Sequence, residues 1–272
     1  MLVTMLVRVG CEFEYESPGE TPSLWQIRPR SDSDHHVITE SWQPPAPSRT
    51  YLDVYGNTCD RLTLPPGRSL LRYDATVDVP PAFDDADKGA TQGSIAELPD
   101  DAFVYLLPSR FCWPDALYEP AWTLFGAVEP GWPRVQAVCD WVHDNVRYQP
   151  GVSTAVTTAH DVWTSRAGVC RDITQLAITL CRALNVPTRY VAGYLPDIAV
   201  TPPDLVMDFC SWFEAWLEGR WWTFDPRNNE PRIGRVVIAR GRDALDTAMV
   251  TTWGPAQLRT MVVWADEVRD AG

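Results

Sequence analysis

The chain has 272 residues, enough for one large domain or two modest ones with a sizeable core. Its 45% hydrophobic and 22% charged residues are an ordinary globular composition, and a net charge of −13 argues against nucleic acid and against an anionic membrane surface as partners. Seven cysteines at irregular spacing (11, 59, 112, 139, 170, 181, 210) do not resemble a secreted disulfide framework. No stretch approaches the roughly 20 apolar residues of a membrane span, so the expectation is a cytoplasmic protein with mostly free thiols.

The start, "MLVTMLVRVGCEFEYES", has no basic leader region and soon alternates as a strand does. Short β-rich stretches continue to "RLTLPPGRSLLRYDATVDV", separated by proline and glycine breaks, which predicts a β-rich N-terminal domain over residues 1–80. His35 and His36 fall in the polar stretch "SDSDHHVI" and read as loop. Residues 81–102 are polar, acidic and without period, the pattern of a surface linker rather than a core element.

From about residue 103 the pattern turns helical. Val135, Val138, Cys139, Val142 and Val146 recur at helical spacing behind Pro133. "TTAHDVWTSRAG" predicts a short helix capped by Thr157 or Thr158 and stopped at Gly168. A third helix starts near Cys170, buries Ile173, Leu176, Ala177, Leu180, Cys181 and Leu184, and ends at Asn185 and Pro187. Strands at "TRYVAGYL", "FCSWFEAWL" and "RWWTFDP" follow, the last two forming a hairpin if Glu218-Gly219 is its two-residue loop. Helices followed by antiparallel strands predict an α+β domain over 103–272, with helices packed on an antiparallel sheet.

Cys170 is the candidate nucleophile. Unpaired N–H groups and the helix dipole at a first turn favour an anion, so a thiolate is expected there at lowered pKa. In the hairpin register Trp212 faces Asp225, and residue 210 lies diagonally across from Asp225 on the same face. An aspartate before a proline also forms turns, so Asp225 has both readings. The tryptophans at 212, 216, 221 and 222 read as sheet packing, with Trp212 a weak candidate for a substrate-groove wall. Arg227, Arg232, Arg235, Arg240 and Arg242 either bind an anionic substrate group or pair with Asp243 and Asp246.

"GVCRD" at a helix start, "MDFCSWFEA" on a strand and "WWTFDPRNNEPRIGRVVIARGRDALD" resemble the bacterial transglutaminase-like cysteine protease family. "VGCEFEYESP", "DVYGNTCDRL", "YLLPSRFC", "WVHDNVRYQPG" and "RYVAGYL" fit the same family, so the resemblance covers most of the chain. It implies a papain-like core with a cysteine nucleophile on a helix and a histidine and an aspartate on adjacent strands, acting on amides through a thioester. By position it makes Cys170 the nucleophile and Asp225 the residue that orients the base. The histidine of a pattern resembling "DFHAWFE" is replaced by Cys210.

That replacement removes the group that takes the thiol proton and later protonates a leaving amine, which typically costs about 10²–10⁴ in rate. A substitute among the other histidines is not evident: His143 lies off the apolar face of its helix, and His160 begins the helix before the Cys170 turn. Three readings remain. In the first, Cys170, Cys210 and Asp225 run acyl transfer or hydrolysis on a small-molecule, peptide or carrier-bound acyl substrate, preferably an ester or thioester, without cofactor. In the second, the same three residues ligate zinc or another divalent metal. In the third, the scaffold has lost catalysis and is a binding module, with a Cys170–Cys210 disulfide or redox switch as a variant.

Overall fold

The computed structural model describes residues 5–201 and 205–268; the first four residues of the opening stretch lie outside them. In chain order the strands are β1 (Met5–Ser17), β2 (Thr21–Trp25), β3 (His36–Gln43), β4 (Arg49–Leu52), β5 (Thr58–Leu64), β6 (Gly67–Val79), β7 (Arg147–Tyr148), β8 (Ala167–Gly168), β9 (Thr188–Tyr194), β10 (Cys210–Leu217), β11 (Arg220–Phe224), β12 (Val236–Gly241), β13 (Val250–Thr252) and β14 (Gln257–Glu267). The helices are α1 (Tyr118–Phe125), α2 (Trp132–Asn145), α3 (Ala159–Ser165) and α4 (Cys170–Ala183). The result is a strand-rich mixed fold with helices on an antiparallel sheet, the expected class.

The N-terminal half builds two antiparallel sheets, ordered β14-β1-β6-β3 and β13-β2-β5-β4. Along β1 from Cys11 to Ser17 every second side chain is buried, as the sequence alternation requires of a sheet with one covered face. Phe13 and Tyr15 meet Trp25 edge to face at 5.3 and 5.5 Å, joining the two sheets. The sequence pattern assigns 103–272 to a single unit, yet the last two strands return to the N-terminal sheets: β14 pairs with β1 and β13 with β2.

The remaining sheet, β11-β10-β9-β12, carries the helices. Phe213, Ala215 and Leu217 on one face of β10 share a core with Ile173, Leu176, Ala177 and Leu180 of α4 and with Val135, Val138 and Val142 of α2. The turn between β10 and β11 is the two-residue loop expected, with Glu218 and Gly219 both at positive φ. Helix α4 is buried on every side, Thr174, Gln175, Thr179 and Arg182 included. Arg182 is tolerated there because its guanidinium donates to the carbonyls of Leu107, Thr188 and Arg242 and to Ser109 Oγ.

Residues 81–102 run along the surface, as expected, with most side chains exposed, and are anchored at a few points. Ala90 is buried in the helical core, its carbonyl accepts the N–H of Trp132, and Gln92 donates to the carbonyls of Leu184 and Asn185 at the end of α4. The segment is a strap that trades its polar backbone bonds with the core it crosses. The two halves are also tied across β12, where Asn57 exchanges two hydrogen bonds with the Arg240 backbone, and by Tyr194, whose buried hydroxyl donates to the Ile27 carbonyl at 2.8 Å. No helix among the described residues is long and apolar enough to cross a membrane.

Candidate active site

Helix α4 begins at Cys170 because the turn before it is locked by Asp172. One carboxylate oxygen of this fully buried residue accepts the Val169 N–H at 2.9 Å, and the other holds Arg171 at 2.7 and 2.9 Å. Gly168 serves this arrangement by its lack of a side chain rather than by a special turn. A Cβ there would stand 2.7 Å from the Asp172 Cβ. Helix α3 before it ends at Ser165, with Arg166 in the left-handed region, three residues short of the expected stop. Its cap is Thr158, in a reciprocal pair with Asp161.

The first turn of α4 docks on the start of β10, with Thr174 Oγ1 bonded to Ser211 at 3.2 Å. Cys170 Sγ lies 3.8 Å from the Phe209 carbonyl, and Cys210 opens β10 opposite Gly193 of β9. A Cβ on Gly193 would meet the Val236 carbonyl at 2.3 Å and the Trp212 ring at 2.6 Å, so only glycine lets the sheet close under residue 210. Cys170 and Cys210 both line two neighbouring cavities, of about 540 and 630 Å³. Tyr148, Leu195 and Arg227 wall the first; Tyr190, Met249 and Met261 wall the second.

Asp225 follows β11 and is buried, in the position diagonal to 210 that the hairpin register predicts. Its oxygens, however, are occupied. Oδ1 accepts the N–H groups of Arg227 and Asn228 at 3.1 and 3.0 Å; Oδ2 accepts Asn228 Nδ2 at 2.8 Å and Arg235 Nη2 at 3.0 Å. Asp225 therefore builds the turn that sends Arg227 back over the thiols. Arg227 Nη1 reaches Cys210 Sγ at 3.8 Å, its guanidinium lies 4.3 Å from the Tyr148 ring centroid, and its carbonyl meets His143 Nδ1 at 3.0 Å. The cation nearest both thiols is Arg227. The sequence signal for it was the Asp-Pro-Arg-Asn run itself, an Asx-type turn in which the Asp225 carboxylate accepts the Arg227 and Asn228 N–H groups.

The electrostatics differ from the expectation at the helix start. Burial pushes the Cys170 thiol above its ordinary value, with Arg227 and a Ser211 hydrogen bond opposing it. Burial pushes Cys210 up to about 12, and the neighbouring Cys170 and Asp225 add to the rise while Arg227 and Arg235 resist it. Desolvation thus outweighs the favourable helix start at Cys170.

Several site expectations are corrected. Trp212 is 1% exposed, packs with Val191, Leu195, Cys210 and Val237, and lines neither cavity beside Cys170. Among the described residues no three His, Cys, Asp or Glu side chains stand where they would hold a metal ion. Asp225 Oδ2 is engaged by Asn228 Nδ2 and Arg235 Nη2. All seven cysteines are free. His143 and His160 are exposed and line neither cavity. His35 lies in a loop as expected and is buried there, while His36 begins β3. Of the five C-terminal arginines only Arg242 pairs with Asp246. Arg232 takes Asp197, Arg235 takes Asp84 and Asp225, and Arg240 takes Glu214.

The profile of the transglutaminase-like superfamily matches residues 124–226, a span that contains Cys170, Cys210 and Asp225. The chain is also similar along 99% of its length to the crystal structure of "a Putative Cysteine Protease from Cytophaga hutchinsonii", covering 93% of that chain at 31% identity and a TM-score of 0.87. The chain belongs to the transglutaminase-like superfamily. Relatives in sequence include the "Uncharacterized protein ML0607" of Mycobacterium leprae, 28% identical over 254 residues, 87% of this chain and 88% of that one. Another is the "Uncharacterized protein Rv2569c" of Mycobacterium tuberculosis, 28% identical over 226 residues, 74% of this chain and 70% of that one.

Proposed function

We propose that this transglutaminase-like protein is a thiol enzyme that transfers or hydrolyses an acyl group through Cys170, with Cys210 and the Arg227 guanidinium in place of an imidazole. The observation that carries the reading is that Cys170, alone among the seven cysteines, is only partly covered, and that it sits at a helix start on the wall of two cavities. Its thiolate attacks the acyl carbon, forming a carbon–sulfur bond as the bond to the leaving group breaks. Water or an amine then takes the acyl group and returns the thiol. Arg227 favours the thiolate during attack, and Asp225 acts as a positioning residue through the turn that aims Arg227. Arginine at neutral pH does not give up a proton to a leaving amine, so thioesters and esters are the preferred substrates and amides poor ones. Free thiols throughout suit a reducing compartment such as the cytoplasm.

A binding module without catalysis is the second reading, and the raised thiol of Cys170 favours it. Iodoacetamide labelling followed by peptide mass spectrometry separates the two. The enzyme reading expects Cys170 to label ahead of the six buried cysteines, and expects thioester turnover that disappears in Cys170→Ser. Labelling of Cys170 no faster than of those six, with no turnover of thioester, ester or amide, leaves the binding module.

A further inference from the structure

Strand β14 alternates so that Met261, Val263 and Ala265 share one face. Val263 and Ala265 are buried in the core of the N-terminal sheets, at 5% and 3% exposed, whereas Met261 on that same face is 37% exposed. Instead of entering the core, Met261 stands on the wall of the cavity of about 630 Å³ that Cys170 lines. Met249 and Leu245, the latter 47% exposed, stand on the same wall, and the buried Phe111, Tyr190 and Ala192 add to it. Apolar side chains left in water around a candidate nucleophile gain free energy when a substrate covers them.

The two cavities at Cys170 differ in chemistry. Of the charged side chains on the Met261 cavity, Asp208 is shared with the neighbouring one, and Arg171 is bound to Asp172 and to the Thr154 carbonyl. Its Ser211 hydroxyl is bonded to Thr174 Oγ1. The neighbouring cavity is lined instead by Asp197, Arg227, Glu230 and Arg232. An acyl group that carries charge would lose its hydration against the apolar walls, whereas an aliphatic one is received by flexible, polarizable methionines that adapt to its shape.

We propose that the Met261 cavity holds an uncharged aliphatic acyl group longer than acetyl, so that the substrate is an aliphatic acyl thioester or ester whose polar leaving group lies in the charged cavity beside it. The reaction rests on the acyl-transfer reading above; the binding of the chain does not. Cys170 Sγ bonds to the acyl carbon as the leaving thiol or alcohol departs with the proton of the Cys170 thiol. Water then breaks that carbon–sulfur bond, giving the carboxylic acid and returning a proton to Cys170. Met261 selects the chain, which gives the return of β14 to the N-terminal sheets a part in the site.

The test uses the full chain and has two readouts: hydrolysis of acetyl, butanoyl, hexanoyl and octanoyl thioesters of one thiol, and protection of Cys170 from iodoacetamide by octanamide against acetamide. A methylene moved fully out of water contributes about fourfold, and the cavity is open at Leu245 and Met261, so octanoyl is expected to exceed acetyl at least about 50-fold in kcat/KM. Octanamide is expected to slow labelling where acetamide at the same concentration does not. Met261→Asp collapses both preferences. Val262→Asp, on the opposite face of β14, 51% exposed and off this cavity, retains them. Thioester turnover that is flat with chain length, or a preference that survives Met261→Asp, overturns the proposal and leaves the acyl-transfer reading standing. If no thioester is turned over, that reading falls, and the labelling decides the cavity by itself: protection by octanamide that Met261→Asp abolishes upholds the chain site, and equal labelling with either amide overturns it. The chain-length comparison in the wild type stands even if Met261→Asp does not fold.

Discussion

Replacing Arg227 by glutamine removes the cation closest to both thiols while leaving the backbone N–H that Asp225 accepts. At the 3.8 Å separation from Cys210 Sγ, two unit charges interact by about 4 kcal/mol at an effective dielectric constant of about 20, and by about 1 kcal/mol at that of water. Arg227 is only half-buried, and Cys170 receives its field as one of several opposing influences, so the lower figure applies there. About 1 kcal/mol is somewhat under one pKa unit, and the shift is upward because the lost charge favoured the thiolate. Alkylation follows the thiolate fraction. Iodoacetamide labelling of Cys170 near pH 7 is therefore expected to slow about fivefold in Arg227→Gln, with the two rates converging only as pH passes the raised thiol pKa of the variant, while Arg227→Lys keeps most of the reactivity. Rates tracked by peptide mass spectrometry from pH 5 to 10 decide it. Superimposable profiles for the wild type and Arg227→Gln refute an electrostatic role for this arginine.

Cys210→His returns an imidazole to the start of β10 and is expected to raise amide hydrolysis about 100- to 10,000-fold relative to the wild type; an unchanged amide rate in a folded variant removes residue 210 from the base position. Gly193→Ala forces a methyl group against the Val236 carbonyl and the Trp212 ring and is expected to destabilise by about 1–3 kcal/mol; an unaltered melting temperature contradicts the close approach. Glu214 is opposed by its burial, but Arg240 and Arg189 prevail and hold its carboxyl below the ordinary range. A depressed folded-state pKa contributes stability above the unfolded value and loses it as pH falls through the folded one. Glu214→Gln is thus expected to cost about 3–5 kcal/mol at pH 7 and progressively less on acidification below pH 4. A denaturation difference that does not change with pH refutes the ion-pair explanation.

Local periodicity made much of this protein legible from its residues alone. The 3.6-residue spacing of Val135, Val138, Cys139 and Val142 and of Ile173 to Leu184 marked α2 and α4, and every one of those side chains is buried. Two-residue alternation marked β1, Glu218-Gly219 marked the hairpin of β10 and β11, and that register placed Asp225 diagonal to Cys210. The helix-start cysteine and the missing histidine were equally visible, since each is a statement about one position. Tertiary structure decided what lies far apart in the chain. Nothing in the residues of β14 names its partner, and its pairing with β1 joins residues some 250 positions apart. The amphipathic spacing of α4 shows one apolar face, whereas Leu107, Ser109, Ser211, Arg242 and Ala244 cover its polar residues as well. The arginines after Asp225 had nearby carboxylates at 243 and 246, but a folded sheet gave Arg235 to Asp84 and Arg240 to Glu214 and left Arg227 for the thiols. Burial, finally, reversed the expected direction of the Cys170 pKa, because desolvation depends on everything packed around a group and the helix dipole only on its own backbone.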